Sequence, residues 1–151
     1  MDKINFIKSE FVALVSTLHT STKGNWGVMN AQQMVEHVGD FFKVSTGKII
    51  FTLTTPIEHL PKYKEFLWSD KEFKENTKAK VLPDEPFAVR NTTMQTAIDE
   101  LRKDINDFFI FFKEDNTIKT LHPTFGELNF DEWLQLHYKH TLHHAKQFSL
   151  I

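Results

Sequence analysis

The last helix-forming stretch of the chain contains four of its eight histidines within eight residues. A helical rotation of about 100° per residue would place His137, His140 and His144 within roughly 60° of one another. Trp133 and Leu136 fall on the same side, so the imidazoles lie within the apolar stripe that faces the core. Buried imidazoles need a partner for each ring nitrogen, and several together repel one another when protonated. A divalent metal ion meets both requirements, so this stretch predicts a metal site.

The rest of the chain predicts three further helices. Apolar residues recur at helical spacing in each of them. Capping patterns mark the starts of three of the four helices, at Asn30-x-x-Gln33, Thr92-x-x-Gln95 and Asn129-x-x-Glu132. The four predicted helices cover Asp2–Leu18, Asn30–Gly47, the stripe that starts near Thr92 and reaches Phe112, and the histidine-bearing stretch from Asn129 to about Phe148.

More than forty residues connect the second and third predicted helices. Within them, Ile49–Leu53 predicts a short strand and Tyr63–Trp68 a short surface helix. A connection this long is unusual inside a compact domain, but a bundle with two parallel neighbouring helices requires a long crossover. We therefore predict an all-α fold with one domain over residues 1–151. It is a four-helix bundle in up-down-down-up order, with helices two and three parallel.

The second helix supplies a histidine that faces the last helix. Met34 and Phe41 lie on the same helical face as His37, which indicates that its imidazole points inward. His140 and His144, one turn apart, offer two further ligands. Three imidazoles occupy three corners of a tetrahedron and leave the fourth open for water or substrate. We predict His37, His140 and His144 as the metal ligands.

Alternatives to this assignment stay open. A single histidine on an apolar face is more often a core residue hydrogen-bonded to a neighbour than a metal ligand. His137 lies on the same arc and competes as a ligand, whereas His143 is expected to point sideways or to solvent. The spacing of His140 and His144 matches metalloproteases, but the glutamate that follows the first histidine there is missing. The Glu-x-x-His pairs of di-iron bundles are missing too.

Three polar residues could support the site. Asp40, one turn from His37, is predicted as a rim hydrogen-bond acceptor or general base, with a plain solvated residue as the alternative. Gln147 lies on the histidine arc and could orient a substrate or bound water, or could simply be a polar residue near the chain end. His122 precedes a proline and is therefore expected in an extended segment or turn, where a structural hydrogen bond is the simplest role.

Composition narrows the partners. The net charge is −2 and the lysines alternate with acidic residues, so we expect no basic surface that binds nucleic acid. The absence of cysteine excludes disulfides and thiolate ligands. The longest apolar run, Phe108–Phe112, is far too short to cross a bilayer. We expect a cytoplasmic protein that acts on a small molecule.

Two segments resemble a known family. Residues 26–37, Trp-Gly-Val-Met-Asn-Ala-Gln-Gln-Met-Val-Glu-His, resemble the second helix of the DinB-like (YfiT-like) superfamily of metal-dependent enzymes. Residues 122–128, His-Pro-Thr-Phe-Gly-Glu-Leu, followed by Trp133 and His140-x-x-His-His144-x-x-Gln147, resemble the region of its last helix. The resemblance implies a four-helix bundle, often dimeric, with nickel or zinc held by His37, His140 and His144.

The resemblance also implies two classes of activity. Characterised relatives use a low-molecular-weight thiol as co-substrate, which suggests a thiol-dependent S-transferase or a hydrolase acting on a small electrophilic metabolite or toxin. The alternative is a non-catalytic bundle that binds a metal or ligand. A third possibility is a hydrogen-bonded histidine cluster without metal.

Overall fold

Side-chain caps mark where the longer helices begin. The computed structural model describes residues 2–77 and 79–151. Asn30 and Asn129 form the two predicted capping boxes, each exchanging hydrogen bonds with the third helical residue. The cap of the third long helix is Thr93, one residue later than predicted, because the hydroxyl of Thr96 and not the amide of Gln95 completes its box.

The fold is mostly helical, as predicted. Helix α1 consists of three consecutive segments, Lys3–Asn5, the π-helical Phe6–Glu10, and Phe11–Val15. The remaining elements in chain order are α2 (Ala31–Ser45), a 3-10 turn (Ile57–His59), α3 (Leu60–Trp68), α4 (Met94–Glu114), β1 (Thr120–His122), β2 (Gly126–Leu128) and α5 (Phe130–Gln147).

Helix α1 is shorter than predicted. It ends at Val15 and not at Leu18, because the amides that follow bond to carbonyls three residues back and not four. Thr17 N donates to Leu14 O and Leu18 N donates to Val15 O. The hydroxyl of Thr17 also donates to Leu14 O, which favours this tighter turn.

A small hairpin between α4 and α5 was not predicted. Strands β1 and β2 pair antiparallel, with Thr120 opposite Leu128 and His122 opposite Gly126. Gly126 has φ +82°, a left-handed conformation that favours glycine. Strands of three residues are too short to show a recognisable alternation. The predicted strand at Ile49–Leu53 is wrong, since that segment has no ladder partner and no strand is assigned to it.

The long connection between α2 and α4 is held against α5. Its helix α3 includes the predicted Tyr63–Trp68 and begins three residues earlier. Lys64 pairs with Glu132, and Lys139 donates to the carbonyls of Ser69 and Lys71 just after α3 ends. Leu67 is fully buried between them. These contacts position the connection beside the histidine-bearing face of α5.

The core is rich in phenylalanine and lies between α1, α2, α4 and α5. It is contiguous and includes Phe6, Phe11, Phe42, Phe108, Phe112 and Trp133, all nearly inaccessible to solvent. Burial of such aromatic side chains dominates the stability of a core of this kind. Among the described residues, none of the helices is both long and apolar enough for a bilayer crossing.

Candidate metal centre

Three imidazoles from two helices meet at one point. Nε2 of His140 lies 3.0 Å from Nε2 of His37 and 3.0 Å from Nε2 of His144. One ligand atom from each ring lies within 4.8 Å of the others. His37 comes from the middle of α2, while His140 and His144 occupy successive turns of α5. The structure therefore brings together the three side chains that the sequence singled out.

Gln147 determines which nitrogen of His144 carries a proton. Its Nε2 donates to the carbonyl of Trp26 at 2.9 Å, so its Oε1 must be the atom that faces Nδ1 of His144, at 2.7 Å. A carbonyl oxygen only accepts, which means that Nδ1 of His144 carries the hydrogen. Nε2 of His144 is then left with a free lone pair, directed at the other two imidazoles. This hydrogen-bond arrangement is typical of metal-bound histidines.

The three facing nitrogens can share at most one proton. With Nε2 of His144 unprotonated, a proton on Nε2 of His140 is divided between two neighbours 3.0 Å away and leaves no lone pair there to accept a proton from His37. If Nε2 of His140 is unprotonated instead, two lone pairs face each other at 3.0 Å. A cation that accepts all three lone pairs removes this conflict.

The spacing also fits a small divalent ion. Ligand nitrogens about 2.0–2.1 Å from a tetrahedral zinc ion lie about 3.3 Å apart. The observed contacts of 3.0 Å and the outer limit of 4.8 Å bracket that value. His37, His140 and His144 could therefore hold a divalent metal with modest side-chain adjustment.

The surroundings keep the three rings neutral. Burial, reinforced by His143, lowers the pKa of His37 to about 4. Burial also lowers the pKa values of His140 and His144 well below the usual range, and mutual repulsion between the rings lowers them further. Metal ligation requires neutral imidazole, so this environment favours the ligand form of each ring at neutral pH.

A large cavity opens at the three histidines. Its volume is about 1680 Å³, and its walls are mainly aromatic and aliphatic. The aromatic wall residues include Trp26, Phe41, Phe66, Phe73, Phe125 and Trp133. His37 and His140 remain partly exposed within this cavity, whereas His144 is buried. A molecule in the cavity could therefore approach the point where the three nitrogens meet.

Asp40 lines the same cavity but is not a free carboxylate. Its Oδ1 pairs with Nη2 of Arg90 at 2.9 Å, and the same guanidinium binds Glu100 at 2.6 Å. Burial raises the pKa of Asp40, while the bond to Arg90 opposes that rise. The alternative expectation, a plain solvated Asp40, does not hold because the carboxylate is ion-paired and partly buried, while its role as a rim acceptor or general base stays a prediction. Arg90 itself had no sequence signal, since it lies in an irregular segment whose position depends on tertiary contacts.

The other histidines have separate partners. His137 is buried, its Nε2 lies 3.1 Å from Ser45 Oγ, and its ring stacks on Phe42 with centroids 3.8 Å apart. It is not part of the three-histidine group. His143, half-buried and against the cavity, bonds to the backbone of Phe73 instead of pointing to solvent. His122 bonds to backbone amides of its own turn, which is the structural role expected for it.

Comparison of the chain with protein-family models, with curated proteins and with solved structures found no match.

Proposed function

We propose that the protein is a metal-dependent enzyme in which His37, His140 and His144 hold a divalent ion, nickel or zinc. The observation that carries this proposal is the convergence of three Nε2 atoms that can share at most one proton, at the wall of an apolar cavity. When bound by three neutral imidazoles, such an ion keeps its full charge and acts as a Lewis acid towards a coordinated thiol, water or carbonyl oxygen.

The proposed reaction is hydrolysis or thiol-dependent S-transfer on a small electrophilic metabolite or toxin. The aromatic walls would bind the apolar part of the substrate and exclude bulk water. Gln147 would hold His144 in its ligand tautomer and so acts as a positioning residue. Asp40, at the cavity wall, would accept a proton only after loosening from Arg90. A low-molecular-weight thiol is the proposed co-substrate of the transferase variant.

We also propose the DinB-like bundle, in up-down-down-up order, as the architecture. The residue pairs in contact between α2 and α4 rise in number together along the two helices, which supports a parallel arrangement. They run from Gly39 beside Leu101 through Lys43 with Asp104 to Lys48 with Asp107.

Contacts of α5 support the opposite direction for that helix. Its His140 meets His37 while its earlier His137 meets Ser45, so α2 and α5 run antiparallel. Phe108 contacts His137 whereas Phe112 contacts Phe130, so α4 and α5 are antiparallel as well.

A second candidate function is non-catalytic binding of a metal or ligand. The observation that favours it is the ion pair between Asp40 and Arg90, because it occupies the cavity acid, one helical turn from His37, that is the candidate base. In this case the metal would organise the cavity for ligand binding without turnover.

Elemental analysis tests the metal centre. Untagged protein, expressed without added nickel, should contain one equivalent of tightly bound metal, and His140→Ala should lose it. His59→Ala is the matched control, since His59 is exposed and far from the site in sequence. Retention of a full equivalent by His140→Ala would overturn the ligand assignment.

An assay with a panel of low-molecular-weight thiols and a small electrophile then separates the two functions. Metal-dependent conjugation or hydrolysis that disappears in His140→Ala supports the enzyme. Metal binding without any turnover supports the binding protein.

A further inference from the structure

His122 lies in the wall of the same cavity, on the far side of one aromatic ring from the three histidines. Its ring stacks on Phe41 with centroids 5.6 Å apart, and Phe41 in turn contacts His37 and His140 at 5.2 and 5.4 Å. Only 6% of His122 is exposed, and it is one of the residues that line the cavity. A small molecule that reaches the three histidines would therefore also pass close to His122.

The hairpin turn determines the tautomer of His122. Its Nδ1 accepts hydrogen bonds from the backbone amides of Thr124, at 2.9 Å, and Phe125, at 3.3 Å. A backbone amide can only donate, so Nδ1 carries the lone pair and the proton of the neutral ring is on Nε2. Burial lowers the pKa of His122 to about 3, which keeps the ring neutral at physiological pH. His122 therefore presents an N–H donor and not a metal ligand.

Within residues 2–77 and 79–151 that N–H group makes no hydrogen bond, and it is not one of the fully enclosed polar atoms without a partner, so it is open to the cavity that His122 lines. An unpaired donor in a largely apolar wall carries a desolvation cost that a bound acceptor removes. Because His122 lines the cavity, a bound molecule is the group best placed to accept this hydrogen bond.

The cavity wall indicates what kind of acceptor it would be. Three aromatic rings contact the His122 imidazole, those of Phe41, Phe125 and Trp133. Acidic side chains around the cavity outnumber basic ones among the described lining residues, so an anionic ligand is disfavoured. A neutral oxygen on an apolar, ring-bearing molecule suits both the neutral donor and the aromatic surroundings.

We infer that Nε2 of His122 donates a hydrogen bond to the carbonyl oxygen of an apolar, ring-bearing substrate bound in this cavity. The inference rests on the proposed function only in calling that molecule a substrate. The hydrogen bond itself requires no metal. His122 is thus assigned as a substrate-binding residue that selects carbonyl compounds.

The test compares two ligands of similar shape by titration calorimetry. Benzylideneacetone is an apolar aromatic ketone and an electrophile, while β-methylstyrene keeps the ring and double bond but has no oxygen. The variant is His122→Asn, because the asparagine side-chain oxygen can still accept the two backbone hydrogen bonds while its short amide leaves no donor at the position of Nε2. His59→Asn is the matched control on an exposed histidine. Thermal unfolding of each variant verifies that the fold is retained.

The expected result is a roughly tenfold loss of benzylideneacetone affinity in His122→Asn, the effect of one neutral hydrogen bond, with β-methylstyrene binding unchanged. Equal weakening for both ligands, no change for either, or no binding of the ketone by the unaltered protein overturns the inference.

Repeating the titrations after chelation separates this inference from the proposed enzyme. Ketone selectivity that depends on His122 and persists after chelation supports the donor. Absence of bound metal from the untagged protein overturns the metal-dependent enzyme and leaves the donor standing. Bound metal without ketone selectivity overturns the donor and leaves the enzyme standing.

Discussion

Gln147 Oε1 accepts a hydrogen bond from Nδ1 of His144 at 2.7 Å, while its amide nitrogen donates to Trp26 O at 2.9 Å. The side chain thereby connects the loop before α2 to a histidine of α5. Its carbonyl, held in one orientation, assigns the proton of His144 to the nitrogen that faces away from His37 and His140. Nε2 of His144 is thereby left unprotonated and available to the proposed ion.

Gln147→Leu should weaken metal binding by about 10-fold to 100-fold, as expected for loss of a hydrogen bond behind a metal ligand. The leucine keeps the side-chain volume but leaves the tautomer of His144 undetermined. Competition with a chromophoric chelator measures the affinity.

Gln135→Leu is the matched control, because Gln135 is another buried glutamine of α5 whose side chain, among the described residues, bonds only to Leu67 O. It should alter stability without altering metal affinity. Equal metal affinity in the two variants would contradict the role of Gln147.

Ser45→Ala should destabilise the fold and leave the metal content unchanged. Ser45 Oγ donates to Phe42 O and so accepts from Nε2 of His137, which loses its partner in the variant. Leaving a buried donor unsatisfied costs about 1–3 kcal/mol. Urea unfolding measures the free energy of unfolding, and elemental analysis measures the metal. Loss of metal would instead place His137 among the ligands.

Lys43→Met should destabilise the contact between α2 and α4. Lys43 Nζ lies 2.5 Å from Asp104 Oδ2, and Asp104 is only 4% exposed. Removal of one partner leaves a buried carboxylate without compensation, at a cost of about 3 kcal/mol at neutral pH. Chemical unfolding at pH 7 measures the effect.

Lys48→Met provides the comparison for this ion pair. Lys48 binds Asp107, which is 26% exposed and stays paired with Lys103 in the variant, so the loss should be below about 1 kcal/mol. Similar losses of unfolding free energy in Lys43→Met and Lys48→Met would show that the burial of Asp104 does not raise the cost of removing its lysine partner.

The stability of the metal-free protein should fall as the pH drops below about 6.5, the usual pKa of histidine. His122 has a pKa of about 3 in the folded chain, and burial lowers the pKa of His137 as well. The unfolded rings therefore take up protons at a pH at which the folded rings do not, so unfolding is favoured as the pH falls. Each such ring contributes about 1.4 kcal/mol per pH unit between its unfolded and folded pKa values.

Urea titrations of chelator-treated protein at pH 7, 6 and 5 measure this slope. His122→Asn removes one of these rings, so its stability should decline less steeply over the same range. An identical slope in both proteins would mean that His122 is protonated in the folded state.

Local sequence signals were sufficient for much of the fold. Asn30 and Asn129 each form the predicted capping box because a cap depends only on residues three positions apart. The inward direction of His37, His140 and His144 followed from helical periodicity, which is a property of a single helix. The hairpin at His122 left no such signal, because its strands are too short to show a pattern.

Periodicity shows which face of a helix a side chain occupies but not what it meets there. His137 shares an arc with His140 and His144, yet it lies opposite Ser45 near the end of α2, whereas His140 lies opposite His37 about two turns earlier. Asp40 is similarly paired with Arg90 from a segment fifty residues later in the chain. The sequence by itself thus determined the helices and their buried faces. Only the tertiary structure decided which side chains meet, because the relative position of two helices depends on the packing of the whole core.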